Sequence, residues 1–432
     1  MKEKTKTINI IGAGLAGVEA ASVAASLGVK VNLYEKQKTF SNLICSNSLK
    51  AMRLETASGL LKEELRLLDS ICMKNAEKTK VPSGGALAVD RHQFSKLITQ
   101  EILSNKNIKV IFGEAKKINP NEITIISAGP LCDGELAEEI CKLTGEQLSF
   151  YDAVSPIITS ESVDMDRAYF KSRYDRGDKF DYLNCPMNRE EYLNFYTELI
   201  QAERVIDRDF LKSDFYQGCM PIEIMASRGE DTLRYGPLKP VGLYNDEKKE
   251  KPYAVLQLRR ENTEGSLYNL VGFQTNLKFG EQRRVFSMIP ALEKAEFMRY
   301  GVMHRNTYIN SPKLLNSDLS LKSNPNIYFA GQIIGSEGYN EAMMMGRIAG
   351  ISAAFKALNI EKSIVFPKTT MTGALISYIT DNENKDFQPM GANFGILIPL
   401  DEKIRSKKDR YLALSNRAIK DFKTACLSLN LP

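Results

Sequence analysis

The sequence predicts an α/β fold in which a parallel-sheet domain is interrupted by an inserted α/β domain. An apolar run near the N-terminus, Ile8 to Ile11, ends on a glycine-rich turn that leads into an alanine-rich helix. A second apolar run, residues 326–330, ends on Gly331 and leads into a helix from about Asn340. Between residues 152 and 310, strand-like runs alternate with charged helical segments. Alternation of strands and helices is typical of α/β proteins.

The first element is a dinucleotide-binding turn within a Rossmann-type βαβ unit. Gly12 permits a tight turn, Gly14 lets the backbone approach a pyrophosphate, and Gly17 allows the helix to pack closely on the strand. The helix over residues 15–27 presents free N–H groups to the phosphates and ends at Gly28. The turn residues that we expect to bind the nucleotide are Gly12, Ala13, Gly14, Leu15, Ala16 and Gly17.

The second strand supports the same prediction. Apolar residues alternate over positions 29–33 in a strand that ends at Glu35, 18 positions beyond Gly17. In dinucleotide-binding folds a carboxylate at this point accepts hydrogen bonds from ribose hydroxyls. We therefore expect Glu35 and the neighbouring Lys36 to bind the cofactor together with the turn.

Two later segments favour FAD over NAD as the cofactor. Residues 123–130 form an apolar strand with a small turn at Gly129, and such a strand closes over the nucleotide in two-domain flavoproteins. The junction after residue 330 would bring a helix N-terminus to the flavin ring. The alternative interpretation is that this junction is an ordinary βα crossover. NADPH or NADH is expected only as a visiting reductant, because the sequence has no second complete glycine motif with its acidic residue. The later residues that we assign to the flavin are Gly331, Gln332, Gly338 and Tyr339.

Composition limits the class of protein. The chain has 432 residues, with seven cysteines, no CxxC pair and two histidines, which argues against a disulfide framework and against a bound metal. We find no signal-peptide pattern before the first strand and no apolar stretch of 18 residues, so we expect a cytoplasmic protein without a membrane span.

The net charge of +5 is concentrated at the C-terminus, where residues 401–432 contain eight basic and four acidic residues. This segment is either a solvated helix face or a patch that binds a polyanion. Basic and aromatic residues also combine at 167–174, and two arginines are adjacent at 283–284. Both segments are candidates for RNA contact or for ordinary surface.

Six motifs resemble those of the folate- and FAD-dependent RNA (uracil-5-) methyltransferases, a family related to the GidA flavoproteins. They are LICSNS at 43–48, PSGGALAVDR at 82–91, GCMPIE at 218–223, VGFQT at 271–275, GVMHRNT at 301–307 and FQPM at 387–390. The likeness runs from about residue 8 to residue 400, and it therefore covers nearly the whole chain.

The resemblance implies a reaction, in which 5-methyluridine forms in RNA. Its cofactors would be methylenetetrahydrofolate as carbon donor and reduced FAD as methylene carrier and hydride source. The implied substrate is the T-loop uridine of tRNA, with a uridine of 23S rRNA as the alternative. A flavin oxidoreductase that uses NAD(P)H and no RNA is the hypothesis from another enzyme class.

One departure from the family is Met343-Met344-Met345, where small residues are usual, so we expect altered surroundings of the flavin ring or of the RNA path.

The implied chemistry needs a reactive cysteine with a lowered pKa, because a thiolate must add to the uracil ring before C5 can attack the methylene carbon. The family motifs imply Cys45 and Cys219 as the two functional thiols, with Glu223 as a nearby carboxylate. We hypothesise that Cys45 attacks the uracil while Cys219 protects the flavin or acts as acid or base, and the two roles can be exchanged. The cysteines expected to be buried and inert are Cys72, Cys132, Cys141, Cys185 and Cys426.

The resemblance also implies a folate site. His304 is expected to stack on the pterin ring opposite the flavin, with Arg305, Glu337 and Asn340 as further folate-binding residues.

The predicted organisation has three segments. Residues 1–150 form the first part of the FAD-binding domain, and residues 151–310 form the inserted substrate and folate domain. Residues 311–432 form the second part of the FAD-binding domain, including the basic C-terminal segment.

Overall fold

The computed structural model describes residues 7–145, 148–175, 177–205, 220–245, 251–385 and 387–431. The strands are β1 (Ile8–Ile11), β2 (Val31–Glu35), β3 (Ser48–Ala51), β4 (Lys80–Val81), β5 (Ala86–Val89), β6 (Ile108–Phe112), β7 (Thr124–Ile126), β8 (Leu148–Ala153), β9 (Ile157–Thr159), β10 (Tyr169–Phe170), β11 (Tyr182–Met187), β12 (Ala254–Arg260), β13 (Leu267–Leu270), β14 (Phe297–Arg299), β15 (Met303–Tyr308), β16 (Ser320–Leu321) and β17 (Asn324–Phe329). The α-helices are α1 (Leu15–Ser26), α2 (Ala57–Leu67), α3 (Ile71–Lys78), α4 (Arg91–Ser104), α5 (Gly134–Thr144), α6 (Arg189–Gln201), α7 (Ile222–Ala226), α8 (Thr232–Tyr235), α9 (Phe279–Phe286), α10 (Ser311–Leu314), α11 (Tyr339–Ala357), α12 (Met371–Thr380) and α13 (Lys407–Leu429).

The first sheet has six strands in the order β16-β17-β7-β1-β2-β6, and all its pairs are parallel except β16 with β17. Its central strand β1 places Ile10 opposite Leu33 of β2 and Ile125 of β7. The prediction that a late strand completes a sheet begun by the N-terminal strands is confirmed, because β17 pairs with β7. Since parallel strands point the same way, the turns after β1, β2, β7 and β17 open at one edge of the sheet.

Helices α1 and α11, which follow β1 and β17, pack together with almost no space between their backbones. A Cβ atom at Gly346 would lie 2.1 Å from the carbonyl oxygen of Ala16, and one at Gly350 would also overlap α1. The same contact buries an ion pair between Glu19 and Arg347, with a nitrogen–oxygen distance of 2.9 Å. Small residues and one buried ion pair therefore fix the two helices relative to each other.

The second sheet has six strands in the order β10-β11-β12-β13-β9-β14, and every pair is antiparallel. The sequence indicated strands and helices here, but it did not indicate the strand direction. The short connection between β12 and β13 forms a hairpin, which requires antiparallel strands. Helices α6 and α9 cover this sheet with a separate core that includes Phe195, Phe273 and Phe286, all fully buried.

Strands β8 and β15 form a two-stranded antiparallel ribbon. In the sequence, β8 precedes the strands of the second sheet and β15 follows them. In its register Asp152 is opposite His304. A third sheet, β3-β5-β4, lies just after the second strand of the first sheet in sequence.

Two helices begin directly after residues that cap their N-termini. Helix α2 begins after Thr56, whose side chain accepts a hydrogen bond from the amide of Gly59. Helix α4 begins at Arg91, after Asp90 as N-cap. Among the residues that the structure describes, no helix is long and apolar enough to cross a membrane.

We predict that Gly346→Ala lowers the free energy of unfolding by about 1–3 kcal/mol, the usual cost of an overpacked contact. The added methyl group would meet backbone atoms of α1, which cannot rotate away as a side chain can. Chemical denaturation followed by circular dichroism measures the change. Gly280→Ala in α9 is the matched control, because no described atom lies within 4 Å of the added Cβ. An equal loss of stability in both variants would contradict the packing argument.

Candidate active site

A cavity of about 430 Å³ opens where the turns after β1, β2, β7 and β17 meet. Residues from both ends of the chain line it, so the sheet topology creates the site. The predicted cofactor-binding residues found in its lining are Gly12, Ala13, Gly14, Leu15, Ala16, Glu35, Lys36, Gly129, Gly331, Gln332, Gly338 and Tyr339. Gly17 lies behind this surface, where its Cβ would be 1.8 Å from the carbonyl oxygen of Gly12.

The glycine turn is tied to the end of β2 by a carboxylate. Glu35 accepts a hydrogen bond of 2.7 Å from the amide of Ala13 and one of 2.9 Å from the amide of Gln37. Gly12 has a φ of +98°, a conformation that residues with a side chain rarely adopt. Lys36 also lies at the cavity, where its ammonium group pairs with Glu114 at 2.8 Å.

The cavity fits FAD. No described atom lies within 4 Å of a Cβ built on Gly14, so the turn leaves room for a pyrophosphate beside the first amides of α1. Helix α11 starts at the same cavity after Gly338, which has no side chain with which to cap the first amides of the helix. Two helix N-termini therefore offer hydrogen-bond donors to one ligand.

Cys45 lines the same cavity and is held by hydrogen bonds at its backbone and at its sulfur. The amides of Cys45 and Ser46 donate to the hydroxyl of Tyr339 at 2.9 and 3.2 Å. The thiol donates to Oδ2 of Asp152 at 3.3 Å. Burial and the adjacent Asp152 carboxylate raise the pKa of the Cys45 thiol well above its usual value. The lowered pKa expected for an attacking cysteine is not found at this residue.

Asp152 is a candidate functional residue that the sequence interpretation missed. It lines the cavity, only 3% of its surface is exposed, and its Oδ2 also lies 3.5 Å from Nδ2 of Asn306 across the β8–β15 ribbon. Its other oxygen, Oδ1, is buried without a hydrogen-bond partner among the described residues. A single aspartate at the end of a strand has no sequence pattern of its own, so only the fold reveals this contact.

Glu337 is buried beside the same group of residues. Nε2 of Gln332 donates to its Oε2 at 2.5 Å. Burial, followed by the nearby Asp152 carboxylate, raises the pKa of Glu337 to about 8. Glu337, which is not among the residues of the cavity lining, therefore retains its proton at neutral pH, so the group of residues around Asp152 carries less negative charge than its sequence suggests.

The second sheet reaches the Cys45 turn through arginines. Arg259 on β12 donates to Oδ1 of Asn47 at 3.0 Å and to Oγ of Ser46 at 2.8 Å. Arg91 pairs with Glu261 at 2.9 Å and donates to the carbonyl oxygen of residue 43. These contacts fix the turn that contains Cys45 against the second sheet.

Two further predicted site residues, Asn340 and Glu223, are also outside the cavity lining. Asn340 is fully buried, and its amide donates to the carbonyl oxygen of Leu49 and to Oγ of Ser58, so it connects α11 to neighbouring elements rather than to a ligand. Glu223 is also fully buried, and it accepts hydrogen bonds of 2.9 Å from the Thr275 hydroxyl and the Asn276 amide. The hydrogen bonds described for both residues are internal to the protein, so their assignment to the site stays a prediction.

The remaining predicted residues of the folate and uracil sites are Cys219, His304 and Arg305. Cys219 lies outside the described residues. The backbone of His304 and Arg305 belongs to β15, whose partner strand β8 contains Asp152. The ribbon therefore brings the two predicted folate-binding positions into register with the strand that reaches the cavity.

Some expectations for the remaining sulfur-containing residues are wrong. Cys72, Cys185 and Cys426 are buried as expected, but Cys141 is exposed and Cys132 is half-buried in the cavity lining. Met343, Met344 and Met345 are fully buried in the core around α11, and they are not among the residues of the cavity lining. Their bulk is accommodated by the core, and an altered flavin environment or RNA path stays a prediction.

The basic segments differ in how many of their exposed side chains are paired with acidic residues. Arg283 and Arg284 are both exposed, and Arg284 is paired with Glu281 and Glu198. The C-terminal segment presents a group of exposed basic residues, here called the C-terminal basic patch: Lys403, Arg405, Lys407, Lys408 and Arg410. Of these, Lys408 pairs with Glu55 at 3.8 Å.

Curated relatives match this chain over nearly its full length. It is 52% identical over 427 residues to methylenetetrahydrofolate--tRNA-(uracil-5-)-methyltransferase TrmFO of Acetivibrio thermocellus, covering 96% of this chain and 98% of the relative. It is 53% identical over 431 residues to the protein of the same name from Fusobacterium nucleatum subsp. nucleatum, covering 97% and 99%. The match to the protein of that name from Streptococcus pyogenes serotype M1 is 49% identical and covers 99% and 100%.

The fold agrees with these sequence matches. A family model described as glucose inhibited division protein A, GIDA, matches residues 7–361. The solved structure of Aquifex aeolicus GidA in its form I crystal is similar with a TM-score of 0.74 at 15% identity, covering 99% of this chain and 76% of that chain. The form II crystal gives a TM-score of 0.72, also at 15% identity, with 99% and 74% covered. The FAD-binding fold is therefore that of GidA, and the chain belongs to the family of the methylenetetrahydrofolate--tRNA-(uracil-5-)-methyltransferases TrmFO.

Proposed function

We propose that this chain forms 5-methyluridine at the T-loop uridine of tRNA, with methylenetetrahydrofolate as carbon donor and NADPH or NADH as reductant. The observation that carries the proposal is the nearly complete alignment, at 49 to 53% identity, with relatives named for this activity. A cavity that fits FAD, with a cysteine and a carboxylate in its lining, supports it.

The bound FAD and folate supply the one-carbon unit and the hydride. The residues of the chain bind and orient these groups. The backbone amides at the start of α1 would hold the pyrophosphate, and Glu35, which braces the turn, would accept hydrogen bonds from ribose hydroxyls. Tyr339 lines the cavity next to Cys45 and orients the Cys45 turn through its hydroxyl.

The two motif cysteines divide the chemistry at the uracil. Uracil becomes nucleophilic at C5 after a thiolate adds to the neighbouring ring carbon. Burial and the carboxylate contact keep the Cys45 thiol protonated, which favours proton transfer by Cys45 over attack. We therefore favour the exchanged assignment, in which Cys219 is the nucleophile and Cys45 is the acid or base.

Folate and RNA would approach from the side of the β8–β15 ribbon. The register that sets His304 opposite Asp152 supports a folate site there, with His304 stacking on the pterin ring and Arg305 nearby. The protonated carboxyl group of Glu337 can donate a hydrogen bond to a ring acceptor. The C-terminal basic patch supplies positive charge for RNA phosphates.

The whole proposal is tested by incubating the holoenzyme with labelled methylenetetrahydrofolate, NADPH and separate tRNA and 23S rRNA transcripts. We expect labelled 5-methyluridine in tRNA. Label in rRNA alone would indicate that 23S rRNA, and not tRNA, is the substrate. Turnover of NADPH without label in either RNA would favour the simple flavin oxidoreductase.

We predict that Gly14→Ala weakens FAD binding by at least about tenfold while the fold is retained. The added methyl group meets no described protein atom within 4 Å, so it fills only the space assigned to the pyrophosphate. Flavin fluorescence titration measures the affinity, and thermal unfolding of the apoprotein measures the fold. Gly280→Ala, remote from the cavity, is the control. Unchanged FAD affinity in Gly14→Ala would show that the turn is not part of the FAD-binding site.

We predict that a tRNA containing 5-fluorouracil forms a covalent adduct with Cys219 and not with Cys45. The fluorine cannot leave C5 as a proton does, so the enzyme stays attached to the ring through its nucleophile. Mass spectrometry of the digested complex maps the adduct. Cys219→Ser should abolish it, and Cys45→Ser should not. An adduct on Cys45 restores the original assignment, whereas an adduct on neither thiol contradicts both.

We predict that the triple variant Lys403→Ala, Arg405→Ala, Lys408→Ala raises the KM for tRNA at least about tenfold without changing FAD binding. The slope of log KM against log salt concentration should also fall by about 0.9 for each phosphate that the variant no longer neutralises. The control is the triple variant Lys106→Ala, Lys109→Ala, Lys117→Ala, which removes equal charge near β6. Equal effects of the two variants would indicate general electrostatic attraction instead of a defined patch.

A further inference from the structure

The thiol of Cys45 and the carboxylate of Asp152 form a contact that no motif predicts. The sulfur lies 3.3 Å from Oδ2, and Asn306 approaches the same oxygen to 3.5 Å. Asp152 is almost completely buried, and Oδ1 has no hydrogen-bond partner within the described part of the chain. Burying a carboxylate in this way costs free energy, so stability alone does not account for it.

We infer that Asp152 accepts the thiol proton of Cys45 during turnover and then releases it to solvent. The S–H bond breaks, an O–H bond forms at Oδ2, and the electron pair stays on sulfur. No group is oxidised or reduced. The resulting thiolate takes the proton released from C5 of the uracil, so the thiol is restored and Asp152 then releases its proton to solvent. This inference rests on the proposed function, because methyl transfer is what requires removal of the C5 proton.

The charges around the thiol are consistent with this transfer. The groups that face the sulfur are Asp152 on β8, Arg299 on β14, Glu337 before α11 and Tyr339 in α11. The Asp152 charge opposes formation of a thiolate, whereas the guanidinium of Arg299 favours it. When the proton moves to Oδ2, the opposing charge on Asp152 is neutralised at the moment that the thiolate forms. The same residue therefore keeps the thiol protonated at rest and enables its ionisation during the reaction.

The geometry also holds both partners in place. The Cys45 backbone is fixed by the Tyr339 hydroxyl, and its turn is fixed by Arg259 through the side chains of Ser46 and Asn47. Asp152 is fixed by the strand pairing of β8 with β15. Donor and acceptor come from separate parts of the chain, yet neither needs to move for the proton to cross.

The test compares Asp152→Asn with the wild-type holoenzyme in two measurements that should change in opposite directions. Alkylation of Cys45 by iodoacetamide, followed by mass spectrometry of its peptide over about pH 6 to 10, reports the thiolate fraction. Removing the adjacent negative charge should lower the pKa of the thiol and speed alkylation near pH 8 about tenfold or more. Methyl transfer to tRNA should nevertheless fall about 10²- to 10⁴-fold, the usual effect of losing a general base, because an amide at this position cannot accept the thiol proton from Cys45 during the reaction.

Controls separate this role from a structural one. Cys72 and Cys185, which are fully buried, should remain unalkylated if the variant is folded. Asp381→Asn removes one exposed carboxylate and should leave both measurements unchanged. Asp152→Glu keeps the acid group, so it should retain the wild-type alkylation profile. It should also retain more methyl transfer than Asp152→Asn. If Asp152→Asn fails to fold, Asp152→Glu is compared with wild type alone.

Three outcomes would overturn the inference: an unchanged alkylation profile in Asp152→Asn, wild-type methyl transfer in Asp152→Asn, or loss of the wild-type alkylation profile in a folded Asp152→Glu. Failure of the proposed function has a different signature. In that case the wild-type enzyme makes no 5-methyluridine, while the alkylation profiles still report whether Asp152 controls the Cys45 proton.

Discussion

The close packing of α1 on α11 is the constraint on which the rest of the site depends. Helix α1 follows the first strand of the chain and α11 follows the last strand of the parallel sheet, so their contact joins the two ends of the fold. Because Gly346 and Gly350 bring the backbones together, both helix N-termini open on one cavity. The buried pair of Glu19 and Arg347 reinforces this arrangement, since either charge without the other would be costly in the core.

The second sheet completes the site from the opposite direction. It supplies little of the cavity lining itself, but Arg259 and the pair of Arg91 and Glu261 hold the turn that carries Cys45. Helix α11 holds the same turn through the Tyr339 hydroxyl. The turn that carries the thiol is therefore held by the second sheet and by α11 at once, which explains how a residue in a short irregular segment can have a defined geometry.

Local patterns made the nucleotide-binding half of the site predictable. The turn from Gly12 to Gly17, the acid at Glu35 and the late strand before Gly331 each have a spacing that follows from backbone geometry. Contacts between distant segments were not predictable in this way. Asp152 meets Cys45 only after the ribbon and both sheets have formed, and no local periodicity indicates that meeting.

The same reasoning applies to two predicted site residues whose described hydrogen bonds are internal. Glu223 and Asn340 lie within or beside recognisable motifs, yet their polar groups are used inside the protein. A motif indicates that a residue belongs to a shared fold, but it does not distinguish a ligand contact from an internal hydrogen bond. The antiparallel direction of the second sheet was hidden for a related reason, because buried strands of either direction have similar composition.

The β8–β15 ribbon has a consequence for how such a chain can vary in length. Residues between the two strands can be added or removed in loops of the second sheet without disturbing the cavity. A one-residue shift within either ribbon strand would turn its side chains to the opposite face and separate Asp152 from Asn306. Insertions and deletions should therefore be tolerated around the second sheet and excluded from the ribbon, which sets the alignment of the two halves of the enzyme.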